Sequence, residues 1–344
     1  LETASSALAC SQLCGHSMGT TWSVQVVSAL DKAALECLQR DLNAVLDGLV
    51  AQMSHWEPDS LLSRINRAAA GWYQVPSAFF EVVSCAAQIA RLSNGAYDPT
   101  VGELVQLWGF GAGAAEPTGL PPAACQLAAA RQRAGWQKLH LNVEQRGVWQ
   151  PGGLTLDFSS IAKGYGVDVM AQAVEQYGIE HYMVELGGEL RVRGRREDGN
   201  HWRLWVETPK DETKSAGTDS EGLPAGIPIA LHDLSIATSG DYRRYFLHEG
   251  RRYAHTLDPR SGWALQNNLA SVSVLHPQCM VADALSTALL CMGLNDGLAF
   301  ARQQRIAALF MCRSDEGDKH DFAVEWTDDF YQQAHPENPL TSIS

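Results

Sequence analysis

The sequence predicts an α+β fold, because its helical and strand-like segments fall in blocks more than they alternate. Strand character opens the chain: Thr20 to Ser28 alternates polar and apolar residues as a half-buried strand does. Helical spacing follows at 31–53, where Leu35, Leu38, Leu42, Val45, Leu46 and Leu49 recur on one face. Asp59 after Pro58 is placed to cap a second helix, and a third runs over 77–92 and stops at Asn94-Gly95. Short strands are expected near 138–142, 147–150 and 154–157, and a strand-rich stretch over 182–275. Helices near 279–292 and 295–304 and two strands ending near Trp326 complete the pattern.

Composition bounds the function. The 344 residues are 45% hydrophobic and 19% charged, an ordinary folded protein. With 26 basic against 39 acidic residues the net charge is −13, which excludes a nucleic-acid backbone as the expected partner. Arg191, Arg193, Arg195 and Arg196 cluster, and their alternation reads as a solvated sheet edge. No apolar run approaches the roughly 18 residues of a membrane span. The chain opens on Leu1, so a preceding segment is expected, and Ala7-Leu8-Ala9-Cys10 loosely resembles the end of a bacterial lipoprotein signal. Cysteines without C-x-x-C spacing argue against zinc. Cys10 and Cys14 are near enough in sequence to pair in an oxidising compartment.

The richest segment is Leu156 to Gly188, where Asp157, Ser160, Lys163 and Asp168 crowd a strand-to-helix junction. Backbone N–H groups, a cation and a carboxylate meet there, as a phosphate-bearing ligand requires. Asp283 and Thr287, four apart on one helix face, form a hard-oxygen pair suited to Mg²⁺. The bland reading of that pair has Thr287 bonding back to a carbonyl and Asp283 serving as a helix-start charge. Gly109-Phe-Gly111-Ala-Gly-Ala114 fits a dinucleotide-binding pattern but leads into Pro121-Pro122 instead of a helix, and is read as a loop. His255, before an Asp258-Pro-Arg-Ser-Gly262 turn, is a candidate general base.

Taken in order, these segments resemble the ApbE family of flavin transferases (FAD:protein FMN transferases). The resemblance rests on His16-Ser-Met-Gly-Thr20, Met53-Ser-His-Trp56, Gly95-Ala-Tyr-Asp-Pro-Thr100 and Leu156-Asp-Phe-Ser-Ser-Ile-Ala-Lys163. It continues through Glu185-Leu-Gly-Gly188, Thr238-Ser-Gly-Asp-Tyr242, His255-Thr-Leu-Asp-Pro259 and Ala282-Asp-Ala-Leu-Ser-Thr287, covering about 16–293. It implies a compact, T-fold-like α+β unit of mixed antiparallel sheets and packed helices, with a catalytic domain over 16–330. An N-terminal tail (1–15), a mobile loop near 211–227 and a C-terminal tail (331–344) would flank or interrupt it.

The activity implied is Mg²⁺-dependent transfer of FMN from FAD onto a Thr or Ser hydroxyl of an acceptor flavoprotein, with release of AMP. FAD contacts are implied for Met18, Trp56, Ala96, Tyr97, Asp98, Asp157, Lys163 and Thr256. Metal ligation is implied for Asp283, Thr287 and Ser160, the last through its backbone carbonyl. His255 is the first candidate base and Asp283 the second. Two departures from the family pattern, Thr256 in place of Ile and Ala254 in place of Ser, spare the metal pair. The resemblance also implies a periplasmic protein, tethered by lipid on Cys10, whose acceptor is a membrane redox-complex subunit. Two other readings stay open: an Mg²⁺-dependent FAD pyrophosphatase yielding FMN and AMP, and a non-catalytic FAD-binding protein.

Overall fold

The computed structural model describes residues 8–111, 119–208, 226–241, 245–313 and 322–335. Its centre is an 8-stranded antiparallel sheet. In spatial order the strands are Ala9–Ser17, Thr20–Ser28, Tyr182–Leu186, Glu189–Arg193, Ser235–Gly240, Leu269–His276, Ala307–Arg313 and Phe322–Trp326.

Both faces of the sheet are covered, and the strand Ala307–Arg313 shows how. Ala308, Phe310 and Cys312 point into the main core, while Ala307, Leu309 and Met311 point into a second one. Side chains alternate across a strand, so a strand buried on both faces reads as an unbroken apolar run. The helices Lys32–Met53, Ser77–Leu92, Ala162–Gln176 and Cys279–Met292 supply the main core. The second core lies beneath the two-stranded sheet Trp202–Glu207/Gly226–Leu231 and the helix Asp328–Ala334. A third cluster joins Trp108, Phe110, Leu127 and Tyr253 under the hairpin Tyr245–His248/Arg251–Ala254.

Several expectations need correction. Within the segment read as an N-terminal tail, the described residues from Ala9 onward pair with Thr20–Ser28, from Ala9 opposite Ser28 to Ser17 opposite Thr20. Cys10 and Cys14 lie on that extended strand, about 13 Å apart at its rise per residue, too far for a disulfide. Ser60, not Asp59, caps the second helix, accepting from the Ser63 N–H at 3.0 Å. Residues 154–157 form no strand, only an isolated bridge between Val101 and Thr155. A helix at Ala124–Arg133 follows the Pro121-Pro122 pair, and the last helix carries order past 331 to Ala334, which is buried. Arg191 and Arg193 sit on an interior strand, not on an edge: Arg191 pairs with Asp168 at 3.0 Å and Arg193 with Glu175 at 2.9 Å. Residues 211–225 of the expected loop lie outside the described residues.

Two features fix the helix that carries Asp283 and Thr287. Asp168, inside the neighbouring helix, accepts from the N–H groups of Cys279 (3.0 Å) and Met280 (2.9 Å). A carboxylate there satisfies orphan donors and complements the helix dipole. Burial pushes the Asp168 pKa up, while those N–H groups and Arg191 oppose the shift. Gly164, in turn, lies where the two helices pack closely: a Cβ there would lie 2.5 Å from the Cys279 carbonyl oxygen and 2.8 Å from Asp283 Cβ. Neither is the far end of a flexible side chain. Gly164→Ala is therefore expected to force the helices apart and cost about 1–3 kcal/mol. Urea unfolding monitored by circular dichroism measures this; an unchanged midpoint would mean that the helix pair yields freely.

Candidate functional site

A cavity of about 640 Å³ opens at the junction of the sheet and these helices, within the size range of small-molecule sites. Its wall is assembled from segments distant in sequence. Met18 enters from the turn between the first two strands, where Met18 and Gly19 have φ of 51° and 74°. Two residues with positive φ make the tight turn whose twist matches a hairpin, but Met has no intrinsic preference for it. Trp56 follows the helix Lys32–Met53; Ser54 Oγ accepts from the N–H groups of Trp56 (3.1 Å) and Glu57 (3.3 Å), holding the loop in shape. Trp56 is 53% exposed with His55 at 5.3 Å between ring centroids, an aromatic pair at the cavity mouth.

Ala96, Tyr97 and Asp98 form another part of the wall. The Asp98 carboxylate is spent on the fold: one oxygen accepts from the Thr100 N–H (2.8 Å) and hydroxyl (2.7 Å), the other from the Trp136 N–H (3.0 Å). Burial pushes its pKa up against those bonds. Tyr97 is buried, which drives its phenol well above the ordinary value, and its hydroxyl has no hydrogen-bond partner among the described residues.

Asp157, Ser160 and Lys163 line the opposite side. Asp157 Oδ1 accepts from the Ser159 N–H at 2.7 Å, turning the chain toward the helix that starts at Ala162. Lys163 forms an ion pair with Glu189. Glu189 is 2% exposed, lines the cavity, and was missed from the sequence. The only signal for it was position: it is the first residue after the Gly187-Gly188 turn, whose φ values of 60° and 103° reverse the chain at the cavity wall. A side chain on Gly187 would meet Thr20 at 2.7 Å and Lys163 at 3.3 Å.

Asp283 and Thr287 both face the cavity, as their spacing predicts. Asp283 is 3% exposed and accepts from the Gly164 N–H at 3.0 Å. Burial pushes its pKa up to about 7, and the nearby Glu189 charge pushes the same way, while Lys163 and the Gly164 N–H oppose both. The bland reading fails in both particulars. Asp283 bonds across to another helix, and Thr287 bonds to Ser239 at 2.7 Å; it is Ser286 that bonds back to a carbonyl. Ser239, from the end of Ser235–Gly240, also lines the cavity and was read only as part of a polar turn.

His255 and Thr256 complete the wall beyond the hairpin strand Arg251–Ala254. The His255 ring meets Phe110 edge-on at 6.2 Å. Every residue expected from the sequence to hold FAD or metal, or to act as base, thus lies on this one cavity.

The oxygens suit a hard cation. Asp283 offers a buried carboxylate and Thr287 a hydroxyl. The Gly164 N–H, an orphan donor of the helix that opens after Ile161, is taken up by Asp283, and the Ser160 carbonyl lies just ahead of Ile161, the first acceptor of that helix. A carboxylate, a hydroxyl and a carbonyl form an all-oxygen set of the kind that Mg²⁺ takes, leaving positions for waters or phosphate oxygens.

Comparison with known proteins identifies the family. The family model described as "ApbE family" matches residues 18–310. A FAD:protein FMN transferase of Vibrio cholerae is 39% identical over 309 residues, 89% of each chain. One of Haemophilus influenzae is 35% identical over 314 residues, covering 89% of this chain and 87% of that protein. The apo crystal structure of the Pseudomonas stutzeri flavinyl transferase ApbE superposes with a TM-score of 0.83 at 35% identity, over 95% of this chain and 97% of that one. The ApbE protein of Thermotoga maritima gives 0.82 at 25% identity, covering 95% and 99%. The chain belongs to the ApbE family.

Proposed function

We propose that this protein moves FMN from FAD onto a Thr or Ser hydroxyl of an acceptor protein and releases AMP. The observation that carries the reading is the convergence of the Asp283–Thr287 pair, Lys163, Tyr97, Trp56 and His255 on one cavity, in a chain whose relatives bear the name of that activity. Trp56 and Tyr97 offer aromatic surfaces for the rings of FAD. Lys163, held by Glu189, offers a cation to its phosphates or to the polar edge of the flavin. Since the Asp98 carboxylate is already engaged, any contact from Asp98 falls to its main chain.

Asp283, Thr287 and the Ser160 carbonyl would hold Mg²⁺, which, when bound, supplies a template and a sink for charge on the phosphates. In the transfer, the acceptor oxygen forms a bond to the FMN phosphorus as the bond to the AMP oxygen breaks. The hydroxyl is a weak nucleophile until a base takes its proton. His255 is the residue assigned that task, since Asp283 is committed to the Gly164 N–H and the metal. If water takes the place of the acceptor hydroxyl, the same arrangement yields FMN and AMP. A membrane redox-complex subunit is the acceptor class we assign, and the periplasm the location, with Cys10 as the lipid-bearing residue; Cys10 is exposed at the start of the outermost strand.

Intact mass of an acceptor domain incubated with the protein, FAD and Mg²⁺ tests the transfer. One added FMN with AMP released is expected, lost with EDTA and in Asp283→Ala. AMP and free FMN without a mass shift on two different acceptors would favour hydrolysis. His255→Gln is expected to slow transfer by about 10²–10⁴-fold, the usual worth of a general base, with FAD affinity unchanged by fluorescence titration. Near-normal transfer by that variant would assign the base elsewhere. For the location, fractionation of cells making the full-length protein should place it with membranes, and Cys10→Ser should release it; equal partitioning of both forms would refute the tether.

A further inference from the structure

Three hydroxyls run from the cavity wall into the core. Thr287 Oγ1 lies 2.7 Å from Ser239 Oγ, Ser239 Oγ lies 2.8 Å from Ser286 Oγ, and Ser286 Oγ lies 2.8 Å from the Asp283 carbonyl oxygen. Ser286 is fully buried and is not part of the cavity wall. Thr287 and Ser286 belong to the helix Cys279–Met292, Ser239 to the adjacent strand Ser235–Gly240.

Each hydroxyl has one proton to give and two lone pairs to receive with. A carbonyl only accepts, so the Ser286 proton goes to the Asp283 oxygen. Ser286 can then meet Ser239 only as an acceptor, and the Ser239 proton goes to Ser286. Ser239 can in turn meet Thr287 only as an acceptor, and the Thr287 proton goes to Ser239. The reverse orientation would leave Ser239 and Ser286 oxygens 2.8 Å apart with no proton between them.

We infer that Ser239 and Ser286 are positioning residues that fix the polarity of Thr287, turning its proton away from the cavity so that it presents lone pairs alone to a cation. An unconstrained threonine hydroxyl could rotate to donate to a phosphate oxygen, and would then offer a poorer face to a metal. The relay removes that option. It also ties the two ends of the metal pair together, because it terminates on the main chain of Asp283 itself. Outer-shell partners that orient ligands in this way typically contribute about 10–100-fold in metal affinity. The inference rests on the cation reading of Asp283 and Thr287 given above.

Mn²⁺ alone, titrated into the whole protein and read by the electron paramagnetic resonance of the free ion, tests it. Ser239→Ala and Ser286→Ala are each expected to weaken Mn²⁺ binding by about tenfold, and Thr287→Val by at least as much. The decisive comparison is the Ser239→Ala/Thr287→Val double variant, expected to bind no more weakly than Thr287→Val, because a relay has nothing to orient once its last hydroxyl is gone. FAD affinity of Ser286→Ala in EDTA should equal that of the parent protein. Parent-like Mn²⁺ binding by the serine variants beside a weakened Thr287→Val would overturn the relay and spare the cation site. A serine effect of equal size in the Thr287→Val background would also overturn it, as a general disturbance of the helix. Unchanged binding by Thr287→Val would remove the cation reading itself. If Ser286→Ala does not melt as a folded protein, Ser239→Ala and the double variant decide the matter alone.

Discussion

The site depends first on the carboxylate of Asp168. It lies within one helix and caps the next, accepting from the Cys279 and Met280 N–H groups while Arg191 on the sheet neutralises it. One side chain thus joins two helices and a central strand. A buried, unpaired carboxylate would be costly, and an uncapped buried helix start would leave donors unsatisfied; each need is met by the other. The absence of a side chain at Gly164 then lets the helices touch backbone to backbone. Without that contact the Gly164 N–H would not reach Asp283.

The electrostatics of the cavity follow from the same packing. Two buried acids, Asp283 and Glu189, share a wall with Lys163, which is paired to Glu189. Burial raises the pKa of Asp283 and the Glu189 charge adds to it, so the ionised carboxylate is disfavoured where it stands. Such an arrangement favours an added cation, which pairs with the carboxylate and recovers part of the cost of burying it.

Much of this was legible in the sequence wherever the signal was local. The helices Lys32–Met53, Ser77–Leu92 and Cys279–Met292 follow from apolar spacing and recognisable ends, and Asp283 and Thr287 from the four-residue repeat of a helix face. The strand Ala9–Ser17 escaped notice because it forms the outer edge of the sheet and is largely exposed, so its pattern carries little hydrophobic contrast. Arg191 and Arg193 were placed on an edge because their partners, Asp168 and Glu175, lie 15 or more residues away in the chain and become neighbours only through the helix–sheet packing. Glu189 and Ser239 were hidden for the same reason. A buried acid and a half-buried hydroxyl look like surface residues until their partners are known.

The turn at Met18 shows the chain accepting a local disadvantage. An L-residue with a Cβ in the left-handed region carries a backbone cost of about 1–2 kcal/mol that glycine escapes, and the next residue in the same turn is a glycine. The turn could therefore be made more comfortable by a second glycine, at the loss of the thioether that now covers one side of the cavity. Stability and ligand contact pull in opposite directions at this position, so a search for hardier variants that scored folding alone would be drawn toward discarding Met18.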